Sequence, residues 1–192
     1  LISLVFLLTA LQAAAWSARA DQPIPALHAR VTDAAGILSA EQSSAIENRL
    51  ADIERSKGSQ VALLIVQTTE PEAIEQFAMR AAEAWKLGRK GVDDGVLFVV
   101  ALKDRRMRIE VGYGFEGALN DATCKRIIDE TVRPRFKDDD YAGGLTAGIE
   151  QIARIISGES LPPPGAGSPE SNPAMAVLVP VFFGALILGT AM

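Results

Sequence analysis

A chain of 192 residues, 48% hydrophobic and 22% charged, has room for one ordinary globular domain with extensions, and its apolar surplus gathers at the two ends. A net charge of −5 with no basic stripe argues against nucleic-acid binding. With one cysteine, Cys124, and one histidine, His28, the sequence excludes an intrachain disulfide, a Cys/His zinc site and a Cys–His or Ser–His–Asp nucleophile.

Residues 1–20 begin with an almost wholly apolar run and end in Ala18-Arg19-Ala20, the small-x-small pattern of a secretory signal peptide. Residues 21–30 contain the prolines of QPIPAL and read as an extended connector, with His28 a solvated linker residue. A domain is expected over residues 31–158. After VTDAAGIL, Ser39 and Gln42 form a capping box for a first helix, which carries Ile46, Leu50 and Ile53 and stops at Lys57-Gly58. The run Val61 to Val66 is continuously apolar and branched, as in a strand buried on both faces.

Thr69-Glu70-Pro71 predicts a second helix, with Ile74, Phe77, Ala78, Ala81 and Trp85 on one face and Leu87-Gly88 at its end. Val96 to Leu102 is a second buried strand, which makes a βαβ unit with a right-handed crossover. A turn at Lys103 to Arg105 leads into strict alternation, Met107, Ile109 and Val111 against Arg106, Arg108 and Glu110. This is a strand with one wet face or near an edge.

Asp121 is placed to cap a third helix, whose apolar stripe includes Cys124, Ile127, Ile128 and Val132 and which Pro134 should end. Cys124 is core packing on that stripe. Asp138, Asp139 and Asp140 precede a fourth helix carrying Leu145, Ile149, Ile152 and Ile156, and their task is to cap it; Asp33 is expected near them. The fold class is therefore α/β, a three-layer α/β/α sandwich around a small mixed, mostly parallel sheet. Residues 159–173 form a Pro/Gly/Ser linker, and residues 174–192 carry no charge. As a helix the last segment would reach roughly 28 Å, enough to cross a membrane. The expected location is the inner (plasma) membrane, single-pass, with the domain on the periplasmic or extracytoplasmic side.

The stretch Gly88 to Gly117 holds the most chemistry. A hairpin would bring Asp93 and Asp94, at the start of one strand, against Gly112 and Gly114, at the end of the next. Adjacent carboxylates repel unless something compensates them, and an oxygen-only donor set suits Ca²⁺ or Mg²⁺. Asp93, Asp94, Glu116 and Asp121 are thus the candidate metal ligands, with Gly112 and Gly114 letting backbone approach closely. The bland alternative makes Asp93 and Asp94 a polar strand start, with Tyr113 and Phe115 as loop packing. Arg89, Lys90 and Lys125 are the cations that could neutralise a phosphate near this edge.

Taken together, VTDAAGILS, QVALLIV, AWKLGRKGVDDGVLFVVALKDRRMRIEVGYGFEGAL and RPRFKDDDYAGGLTAGI resemble the TPM domain family, which includes YgcG-like, membrane-anchored bacterial proteins. The resemblance covers roughly Arg30 to Ser157, and the segment from GRKG through DDG to GYGFEG is its specific part. It implies the sandwich fold and an envelope location. For function it implies weak acid phosphatase activity in some members, calcium binding in some, and partnership in membrane-protein assembly in others. Two expectations follow. One is a membrane-tethered, cation-binding interaction module with an envelope protein partner in assembly or quality control. The other is a metal-dependent phosphomonoesterase in which Asp94 is nucleophile or base.

Overall fold

The computed structural model describes residues 21–159. The expected signal peptide, nearly all of the linker and the expected transmembrane helix lie outside the described residues, among which no helix is long and apolar enough to cross a membrane.

Four strands form one sheet in the order β1-β2-β3-β4: β1 (Val31–Asp33), β2 (Gln60–Val66), β3 (Gly95–Ala101) and β4 (Arg106–Val111). The first three are parallel, with Val31 beside Leu63 and Leu63 beside Phe98, and β4 runs back antiparallel with Val111 opposite Val96. β2 and β3 are the two apolar runs, and nearly every residue in them is buried because both faces of the sheet are covered. β1 lacks that signature. It is three residues long, and the Asp33 carboxylate ends it by accepting from the backbone N–H groups of Ala35, Gly36 and Leu38.

Helix α1 (Ala40–Lys57) begins with the expected capping box at Ser39 and Gln42 and ends at Gly58 with φ of 75°. Its Ile46, Leu50 and Ile53 pack on the face of the sheet that presents Leu63, Ile65, Phe98 and Val100. Helix α2 (Ile74–Trp85) covers the other face, where Phe77, Ala78 and Ala81 meet Leu64, Leu97 and Val99. β1, β2 and β3 advance across the sheet in one direction, yet α1 and α2 lie on opposite faces. The two crossovers therefore have opposite hands, and only one can take the expected right-handed form.

α2 starts later than Pro71 suggested. Thr69 N–H and the Thr68 hydroxyl both donate to the Asp104 carboxylate, at 2.8 and 2.7 Å, tying this segment to the β3–β4 turn, and Ala73 becomes the N-cap. On the α1 side, α3 (Asp121–Arg126) runs through a π-helical stretch (Ile127–Val132) into α4 (Arg133–Lys137). Asn120, one residue before the expected Asp121, is the cap, and its side chain accepts from Thr123 N–H. Pro134 does not end this run. It sits in the first turn of α4, where the missing N–H is not required, and the wider π turns before it take up the change. Asp140 caps α5 (Tyr141–Ile156), as expected of the acidic run, and α5 buries Leu145, Ile149 and Ile152 beside α1.

Candidate functional site

The hairpin brings the acidic pair and the glycine loop together through backbone. Gly112 N–H donates to the Gly95 carbonyl at 2.8 Å, and Gly114 N–H donates to the Asp93 carbonyl at 3.0 Å. A Cβ on Gly112 would overlap the Asp93 carbonyl, and one on Gly114 would overlap that of Val92, so the two crossing chains require glycine. The loop before β3 is closed in turn by Val92 and Asp93 N–H groups on the Arg89 carbonyl, at 3.0 and 2.9 Å. Asp93 itself holds a left-handed φ of 54°.

The carboxylates at this edge divide into two kinds. Asp94 is buried, and Arg89 engages it with Nε and Nη2 on one oxygen, at 2.8 and 2.6 Å, and with its backbone N–H on the other, at 2.8 Å. Burial pushes this carboxyl up, but the Arg89 hydrogen bonds and charge outweigh it and hold the group below the usual carboxylate value. Asp121 is exposed and pairs with Arg108 at 3.0 Å. Burial lowers the Arg108 pKa, yet Glu110 and Asp121 keep it above the ordinary guanidinium value. Asp93 and Glu116 stand exposed at the same edge. Among the described residues no three Asp, Glu, His or Cys side chains come close enough together to hold a metal ion. The expected four-carboxylate set is thus spread out, with Asp94 turned inward to Arg89 and Asp121 turned to Arg108. Lys90 is exposed, and Lys125 is paired with Asp129.

Phe115 does pack against the core, as loop packing would have it, but Tyr113 is 80% exposed on a short 3-10 turn (Tyr113–Phe115). Val92, on the loop it crosses, is also exposed. What the edge presents to solvent is an aromatic ring and an aliphatic side chain on a fixed backbone, flanked by the carboxylates of Asp93 and Glu116, unpaired among the described residues, and by the cations of Arg89 and Lys90.

Residues 31–155 match the model of the TPM domain. The chain belongs to the TPM domain family. This TPM domain is similar to the N-terminal domain of a Porphyromonas gingivalis protein solved in solution, with 34% identity over 67% of this chain and 82% of that one, and a TM-score of 0.63. It is similar in fold to a protein of the psychrophilic bacterium Bizionia argentinensis, at 22% identity, 65% and 91% coverage and a TM-score of 0.56. It is likewise similar in fold to the N-terminal domain of a Corynebacterium glutamicum protein, at 19% identity, 73% and 86% coverage and a TM-score of 0.53. No curated protein matches the chain.

Sequence reasoning missed a second feature of this TPM domain. At the opposite edge, the β3–β4 turn and the α4–α5 junction enclose a cavity of about 490 Å³. Arg105, Arg106, Arg133 and Lys137 line it above an apolar floor that includes Met107 and Phe136. The signal was present in two short basic blocks, Lys103 to Arg106 and Arg133 to Lys137, which the sequence places some thirty residues apart.

Proposed function

We propose that this TPM domain is a membrane-tethered interaction module on the extracytoplasmic side, engaging an envelope protein in membrane-protein assembly or quality control through its glycine-loop edge. The observation that carries this reading is Tyr113. An aromatic ring held 80% in water on a backbone pinned by crossing hydrogen bonds contributes little to the fold. It has the form of an interface anchor whose ordering cost is already met. The apolar end segments, a leader and an anchor by composition, support the tether. The test is recovery of envelope proteins with the full chain from membranes, comparing wild type with Tyr113→Ala. Loss of a wild-type companion supports the module, and an unchanged set of companions overturns it.

A divalent cation, Ca²⁺ or Mg²⁺, belongs to this reading at the same edge, with the exposed carboxylates of Asp93 and Glu116 and nearby loop carbonyls as an all-oxygen donor set. Asp94 and Asp121, paired with Arg89 and Arg108, are left out of this donor set. Calorimetric Ca²⁺ titration separates the cases, since equal binding by wild type and by Asp93→Asn with Glu116→Gln would remove the site. The phosphomonoesterase alternative meets an Asp94 whose carboxylate is already enclosed by Arg89. Turnover abolished by Asp94→Asn, on protein free of host phosphatases, would restore it.

A further inference from the structure

The cavity at the far edge lies at the carboxyl end of β3, where open α/β sheets characteristically bind their ligands. Its lining is unusual for an acidic domain. The β3–β4 turn contributes Arg105, the start of β4 contributes Arg106 and α4 contributes Arg133 and Lys137, against one lining carboxylate, Asp139. Among the described residues Arg105, Arg106 and Lys137 form no ion pair; Arg133 reaches Asp129 at 3.1 Å. Asp104, the carboxylate inside the turn, faces the other way onto Thr68 and Thr69, and feels Arg106 only as a nearby charge. Asp139 accepts a hydrogen bond from the Tyr141 hydroxyl. Arg105, Arg106 and Lys137 thus offer cationic groups with no carboxylate of the described residues at contact distance, although Asp138 and Asp140 flank the same junction and temper the charge of the rim.

The floor is rigid and apolar. Phe136 meets Tyr141 edge to face, with ring centroids 5.0 Å apart, and is backed by Gly144, where any larger residue would collide with the ring. A free inorganic anion would use the rim and leave this floor wet. A flat membrane surface could not reach into it. A peptide that carries a hydrophobic side chain beside its carboxylates satisfies both, with the side chain on Phe136 and Met107 and the carboxylates on the arginines. Cations from two separate elements can serve more than one carboxylate at once.

We propose that this cavity is a docking site for an acidic segment of a partner protein, a segment that places a hydrophobic side chain between carboxylates. The test uses the full chain and a dye-labelled hexapeptide alternating aspartate and leucine, followed by fluorescence anisotropy. Binding is expected to weaken about tenfold or more in the double variant Arg105→Gln, Arg106→Gln. It should weaken as much when asparagine replaces aspartate or glycine replaces leucine in the peptide, fall with added salt, and stay unchanged in Lys57→Gln. Matching thermal melts of the variants and wild type would show that the fold is intact. No binding of the aspartate–leucine peptide to the wild-type chain at millimolar concentration overturns the proposal. So does equal affinity for the double variant or for the aspartate–glycine peptide. Displacement of the peptide by inorganic phosphate at equal concentration would make the site one for a small anion. Arginine-dependent binding to phosphatidylglycerol vesicles without peptide binding would make it a membrane contact.

Discussion

Asp94 is the one acidic side chain of the glycine-loop edge that is withdrawn from solvent, and its oxygens are met by three N–H groups of a single residue, Arg89. A buried carboxylate so bonded holds the loop in place from inside, so Asp94→Asn should cost about 1–3 kcal/mol, towards the low end because Arg89 is half in water. The pH dependence has a definite sign. The folded-state pKa lies below the ordinary 3.8, so the contribution is complete above the unfolded-state value and is lost as pH falls through the folded one. Urea midpoints of wild type and Asp94→Asn should differ by a constant amount from neutrality to about pH 5 and converge below about pH 4. A gap that stays constant into strong acid would show that the carboxylate charge is irrelevant. Cys124 responds in the opposite sense. Burial is the main cause that pushes its thiol up to about 12, and the Sγ–H donates to the Leu119 carbonyl at 3.4 Å. At pH 8 it should be inert to a thiol reagent in the native chain and react fully once urea unfolds it. Rapid native labelling would contradict the packing described.

The crossing of two loops over glycine is the element that makes this edge rigid, and it gives a contrast between neighbouring glycines. Gly112→Ala forces a methyl onto a backbone carbonyl that has no flexible end to move, and should cost on the order of 2–4 kcal/mol. Gly117 has open space where a Cβ would go, so Gly117→Ala should change stability by less than about 0.5 kcal/mol. Similar losses in denaturant unfolding for both would refute the crossing. At this scale the sequence was legible wherever an element carries its own cause. β2 and β3 are continuous apolar runs, α1 has its capping box, and Gly112 and Gly114 lie opposite the acidic pair as the hairpin requires. It was not legible where the cause is far away in the chain. Asp104 fixes the start of α2 from 35 residues off, the π turns that accommodate Pro134 have no compositional signature, and β1 is a strand only because β2 lies beside it. The site divides the same way. Asp94 was placed at the correct edge, but its partner Arg89 is a loop residue whose direction no periodicity reports.

At the scale of the whole molecule the sheet has unequal cover: among the described residues α1, α3 and α5 lie on one face and α2 is the one helix on the other. The lead-in, expected to be an extended connector, completes the thinner layer. Ile24 packs against the α2-side core, Trp85 Nε1 donates to the Pro25 carbonyl at 2.8 Å, and Arg80 reaches the Gln22 carbonyl at 2.9 Å. Prolines suit this role, since an extended segment that forms no ladder loses nothing by lacking N–H groups and has less chain entropy to surrender. Gln22, Ile24 and Pro25 therefore belong to the folded body, and the cover they give is as much a part of stability as a helix would be. Ile24→Asn should therefore destabilise by about 1–2 kcal/mol, the loss expected on exposing a half-buried aliphatic contact. Leu27→Asn, three residues on and 38% exposed, should change stability by less than about 0.5 kcal/mol. Urea unfolding followed by circular dichroism reads both. If the two substitutions were equally silent, the lead-in would be the connector that its composition suggests, and α2 alone would close that face of the sheet.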